Sequence, residues 1–153
     1  MSRAVAFLAT LFIAAFPVAG VFAADPSVTR AGPLVISDAW TRPTAAGMPM
    51  GVAYFVVGND GNAADTIVAA STPAAARVEF HQTTLADGMA RMRPLAEITV
   101  PAKGKVEVAP GGIHLMLVDL AAPLAAGTRV PLFLQFRNAG RVEIRLAVEA
   151  RAE

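Results

Sequence analysis

Near its end the chain alternates: Val142, Ile144, Leu146 and Val148 are apolar, and Glu143, Arg145 and Glu149 stand between or after them. A period of two is the mark of a half-buried strand. Residues 74–80 repeat it, with Val78 and Phe80 on one face and Arg77 and Glu79 on the other. Residues 34–40, 50–57, 65–70, 98–100, 106–108, 114–118 and 130–136 are short apolar runs of strand length. Turn signals part them: Gly58-Asn59-Asp60-Gly61-Asn62, Ser71-Thr72-Pro73, Asp87-Gly88, Pro101-Ala102-Lys103-Gly104, Pro110-Gly111-Gly112 and Asn138-Ala139-Gly140. Asp-Gly is a hairpin signature, so residues 83–85 and 89–92 are expected to pair. No stretch carries a helical stripe. Eight to ten short strands with a turn about every ten residues predict an all-β, antiparallel Greek-key β-sandwich.

Three segments are expected. Residues 1–23 form an uncharged apolar run after Arg3, with Val21 and Ala23 at the −3 and −1 positions of a cleavage site, and read as a signal peptide. A retained anchor is the alternative, since the run is about long enough to span a bilayer. Residues 24–33 read as a flexible leader and residues 34–150 as one domain. Without residues 1–23 the thirteen Lys and Arg lose Arg3 and equal the twelve Asp and Glu. A near-neutral domain has no nucleic-acid footprint and no broad attraction to membranes, and no membrane span is expected after cleavage. The absence of cysteine removes a thiol nucleophile, a blue-copper thiolate and every cysteine-based zinc site.

The chemistry concentrates between residues 81 and 116. Both histidines, His81 and His114, lie there, with Met89, Met92 and Met116 of the six methionines. His114 and Met116, at i and i+2, leave one strand face roughly 6.5–7 Å apart. Met92 folds back toward His81 across the Asp87-Gly88 turn. Two imidazoles and two thioethers make a soft N₂S₂ set, suited to Cu(I) and unsuited to Mg²⁺ or Ca²⁺. Such a set loosens as its imidazoles protonate. Met89, beside the turn, reads as a bystander or at most an auxiliary ligand. Met48 and Met50 flank Pro49 and are expected to pack on the core, a second thioether site being the alternative. Glu79, Asp87 and Asp119 read as solvated or turn residues, and no catalytic acid–base set is expected. Arg91 and Arg93 flank Met92, as a solvated face or a docking point for an acidic partner.

The spacing His81, ten residues, Met92, twenty-one residues, His114, one residue, Met116 resembles the signature of the periplasmic copper-A chaperone family. The surrounding text is similar too: Val78-Glu79-Phe80-His81, Asp87-Gly88-Met89, Met92-Arg93-Pro94, Pro110-Gly111-Gly112 and His114-Leu115-Met116-Leu117, with Ala39-Trp40, Arg42-Pro43 and residues 51–55 upstream. The resemblance implies a cupredoxin-like sandwich, not an enzyme, with His81, Met92, His114 and Met116 holding one Cu(I). It implies a monomer in the periplasm that delivers copper to the copper-A domain of cytochrome c oxidase, or works with another copper assembly factor. A copper-buffering protein without a dedicated client is the alternative. Two departures stand out. Gln82 follows the first histidine where many members carry methionine, and residues 148–153 hold no histidine or methionine, so a tail site for Cu(II) is not implied.

Overall fold

The structure, a computed structural model, describes residues 27–151. The expected signal peptide lies outside the described residues. Eleven strands follow one another: β1 (Thr29–Ala31), β2 (Leu34–Thr41), β3 (Met50–Asn59), β4 (Asp65–Ser71), β5 (Ala75–Ala86), β6 (Met89–Leu95), β7 (Ile98–Val100), β8 (Gly104–Val108), β9 (Ile113–Leu120), β10 (Arg129–Phe136) and β11 (Gly140–Val148). They hydrogen-bond in the order β6-β5-β9-β8-β3-β2-β11-β10-β4-β7, with β1 paired on β2. The expected all-β sandwich is present. Its pairs are antiparallel except for β2 with β11 and β8 with β9.

The path folds over at the short β2–β11 contact, Trp40 opposite Ala147 and Thr41 opposite Val148. Phe55, Phe80, Leu115 and Leu117 from one layer thus meet Leu132, Leu134, Phe136, Ile144 and Leu146 from the other in one core. The four alternating apolar residues of β11 are all buried. Burial of large aliphatic and aromatic side chains contributes roughly 1.5–3 kcal/mol each, and it must suffice without disulfides.

Two expectations need correction. The segment read as a flexible leader is partly a strand: Thr29–Ala31 pairs with residues 34–36 across Gly32-Pro33. Its sequence, Thr-Arg-Ala, is too short to show apolar alternation, and only Ala31 packs against the core. The strand expected to end at Phe80 runs on to Ala86. Beyond Phe80 the β5–β6 hairpin reaches past the core, so neither face needs apolar residues and the alternation lapses.

Asp65 ties β4 to the β10–β11 turn. Its Oδ1 accepts from the backbone N–H of Thr66 (2.7 Å) and Asn138 (3.0 Å), and its Oδ2 from Ala139 (2.9 Å). Burial pushes this carboxyl up; the three backbone donors, with the charge of Arg137, outweigh it and hold the group below the ordinary aspartate value. A depressed folded pKa gives stability that is present above the unfolded value, about 3.9, and is lost as pH falls through the folded one. Asp65→Asn, whose NH₂ cannot accept, is expected to cost about 1–3 kcal/mol at neutral pH. The difference should shrink toward about pH 3 in urea melts. A cost that is unchanged there would remove the carboxylate from this role.

Candidate metal centre

The Asp87-Gly88 turn sets the register of the β5–β6 hairpin. Both residues have positive φ, 54° and 75°, the two-residue I′ geometry that the hairpin twist favours. The register is thereby fixed: Ala86 lies opposite Met89, Thr83 opposite Met92 and His81 opposite Pro94. On its other side β5 pairs with β9, placing His81 directly opposite His114 and Glu79 opposite Met116. Met116 in turn faces Val52 of β3, and Val118 faces Met50.

Residues directly opposite share a sheet face, as do residues two apart. Met92, His81, His114 and Met116 therefore leave the same face, the one turned away from the core residues Phe80, Leu115 and Leu117. The two imidazole centroids are 5.9 Å apart with their planes tilted by 36°. Met92 and Met116 each sit one diagonal step from His81, on opposite sides of it. Diagonal positions lie roughly 7–8 Å apart, within reach of long side chains. His114 is only 7% exposed and Met92 is 57% exposed on the edge strand, so the cluster runs from a buried imidazole to an open thioether.

Each imidazole is held by one ring nitrogen. His114 Nδ1 lies 3.1 Å from the Gly112 carbonyl oxygen, which can only accept, so Nδ1 carries the hydrogen and Nε2 keeps its lone pair. The same carbonyl accepts from Thr83 N–H at 3.0 Å, joining the turn before β9 to β5. His81 Nε2 lies 3.1 Å from Glu79 Oε2. A hydrogen bond from Arg77, then one from His81, hold the Glu79 carboxyl below its usual value. An ionised Glu79 only accepts, so His81 Nε2 donates and Nδ1 keeps the lone pair. Arg77 is itself bridged to Glu79 at 2.8 Å and to Asp119 at 2.7 Å.

Glu79 was expected to be a solvated residue. Its side chain is 41% exposed and also bonds an imidazole, a further role whose sequence signal is a carboxylate two positions before a histidine on one strand. Asp87 and Asp119 fit the turn and surface expectation, with φ of 54° and 57°. The register separates three other candidates from the cluster. Met89 opposite Ala86, Arg91 opposite Thr84 and Arg93 opposite Gln82 lie on the reverse face of the hairpin from Met92. Arg93 Nη2 donates to Gln82 Oε1 at 2.8 Å. Among the described residues no three His, Asp or Glu side chains converge, so any metal held here needs the thioethers.

Residues 34–148 match the family model described as "Putative lipoprotein LpqE-like". The chain belongs to the LpqE-like family. A second observation agrees: it is 32% identical over 115 residues to "Putative lipoprotein Lxx21020" of Leifsonia xyli subsp. xyli, covering 74% of this chain and 68% of that one. Among solved structures, the copper-bound PCuAC domain from PmoF2 superposes with a TM-score of 0.70 at 27% identity, over 81% of this chain and 98% of that one. The solution structure of Cu(I)-DR1885 from Deinococcus radiodurans gives 0.62 at 27%, over 75% and 77%. The LpqE-like domain thus has the PCuAC type of cupredoxin-like sandwich, and its family relations place it outside the cytoplasm. None of the 153 residues is cysteine, so a lipid linked through a cysteine sulfur has no attachment point among them.

Proposed function

We propose that this LpqE-like protein is a periplasmic copper chaperone, exported by a cleaved signal peptide, that holds one Cu(I) on His81, Met92, His114 and Met116. The observation that carries the reading is the register. Direct opposition of His81 and His114 puts two imidazoles and two thioethers on one sheet face. The names of the related domains, copper-bound PmoF2 PCuAC and Cu(I)-DR1885, support the same cargo.

Four neutral ligands, two of them soft, favour Cu(I) over divalent ions that want charge and oxygen. The lone pairs left free, Nδ1 of His81 and Nε2 of His114, are the nitrogens that would bind it. Glu79 and the Gly112 carbonyl act on the rings and not on the metal. With no thiolate the hold is moderate, and exposed Met92 offers a ligand that can leave first. A carrier that releases its cargo by ligand exchange needs both properties. The role is non-enzymatic.

The proposed client is the dinuclear copper-A domain of cytochrome c oxidase. Mixing the Cu(I)-loaded protein with the apo copper-A domain is expected to transfer copper, read by the purple absorption of the filled centre after oxidation. If that domain stays empty while a thiol-based chaperone fills it, the delivery role fails and buffering replaces it.

A further inference from the structure

Met48 and Met50 do not pack on the core. They are 52% and 42% exposed. Among the described residues the exposed large apolar side chains are Met48, Met50, Leu85, Met89 and Met92. Exposure thus falls on sulfur-bearing chains, not on aliphatic ones at large, although the domain is rich in Leu, Val and Ile.

The Met-Pro-Met segment is held firmly. Gly47, at φ 81°, closes a turn in which Met48 N–H donates to Ala45 O at 3.2 Å, and Pro49 O accepts from Leu120 N–H at 3.0 Å. Met48, preceding a proline, is kept out of the helical region and stands two positions before Met50 at the entry to β3. Met50 faces Val118 while Val52 faces Met116. Met50 is therefore a diagonal neighbour of Met116 on the face that carries His114, roughly 7–8 Å away before the flexible thioether arms are counted. Gly51, between Met50 and Val52, points the other way, against Leu117, Leu120 and Leu124. One face thus carries Met50, Met116, the imidazole pair and Met92 in succession, with exposed Met48 two positions before Met50 in the chain. Arg77 lies in the Met50 row, across Val118, with its charge balanced by Glu79 and Asp119.

We propose that Met48 and Met50 form a second, weaker Cu(I) site, a thioether pair through which copper passes to or from Met116. The inference rests on the reading that the His81–Met116 cluster carries Cu(I). The step is a pure ligand exchange. A bond from copper to the Met50 sulfur forms as the bond to the Met116 sulfur breaks, and no electron or proton moves.

The test is a titration of methyl-¹³C-methionine protein with Cu(I) under anaerobic conditions, followed by methyl NMR. The first equivalent is expected to shift the Met92 and Met116 methyls, and the second those of Met48 and Met50, with Met89 unmoved. Met48 and Met50 unmoved after Met92 and Met116 have shifted would overturn this site and leave the carrier reading standing. Met89 moving together with them would show unspecific thioether binding and overturn it equally. Met92 and Met116 unmoved would sink the carrier reading, and the transfer role with it. The double variant Met48→Leu/Met50→Leu should keep the first-equivalent shifts and lose the second. It should also slow copper exchange with a chelator about tenfold, the size of effect that outer metal contacts have. An unchanged exchange rate would overturn the transfer role.

Discussion

Replacing His114 with alanine is expected to weaken Cu(I) binding at least about a hundredfold, since even residues that merely orient a metal ligand cost about 10–100-fold when removed. His114 is the ligand the structure holds most firmly. It is buried, its ring is tied to the Gly112 carbonyl, and it lies between His81 across the ladder and Met116 along its own strand. Its loss leaves one imidazole and two thioethers. The fold should survive, because the Gly112 carbonyl keeps its bond from Thr83 N–H and is not orphaned. Met116→Leu provides a second measurement. It is close to volume-conserving, costs less than about 1.5 kcal/mol of stability, and removes only the sulfur. Competition against a chromophoric Cu(I) chelator reads both. Wild type and His114→Ala binding equally weakly would mean that the cluster is not a metal centre.

How far the chain reveals this in advance differs from element to element. The apolar run 98–100 has the bounds of β7, and the alternation of 142–148 misses only the first two residues of β11, because burial on one face writes itself into alternation. Strand β1 and the outer half of β5 leave no such mark. One is three residues long with only Ala31 on the core, and the other projects from the core. Periodicity reports burial, and hydrogen bonding without burial is silent in it. The exposure of Met50 was hidden for the opposite reason. Residues 50–57 are apolar on both faces, so the core face of Gly51, Ala53, Phe55 and Val57 does not stand out.

For the cluster, the turn was legible and its consequence could have been counted. A two-residue Asp87-Gly88 loop pairs Ala86 with Met89, and a period of two then puts Met92 with His81 and sends Met89, Arg91 and Arg93 to the other face. What no local pattern supplies is the long-range ladder. His81 and His114 are thirty-three positions apart, and only the β5–β9 pairing brings them opposite each other. The family resemblance stood in for that missing step. It named four positions but gave no reason for their meeting, and it gave no role to Glu79 or the Gly112 carbonyl, although both residues lie in the stretches that carry it.

The second large effect concerns the fold itself. Phe136→Ala is expected to cost about 3–5 kcal/mol, the transfer energy of a buried aromatic ring plus the cavity left behind. Phe136 is fully buried in β10, opposite Gly140 on β11 and Ile67 on β4, beside the register shift that leaves Val68 of β4 without a partner on β10. A glycine partner has no side chain to move into the space, and a strand hydrogen-bonded to neighbours on both sides has little freedom to collapse. Domains of this kind have about 5–15 kcal/mol in total, and this one has no disulfide to hold a weakened core together. Urea unfolding should show a large fall in midpoint with little change in slope, whereas Phe136→Leu, which keeps most of the volume, should cost far less. A loss below about 1 kcal/mol for the alanine variant would mean that the layers meet differently from the packing described. Phe136 shares no strand pair with the β5–β9 ladder, so the folded fraction should still bind Cu(I) like wild type. Opposite losses in the two variants, stability without affinity here and affinity without stability for His114→Ala, would separate the scaffold from the centre it carries.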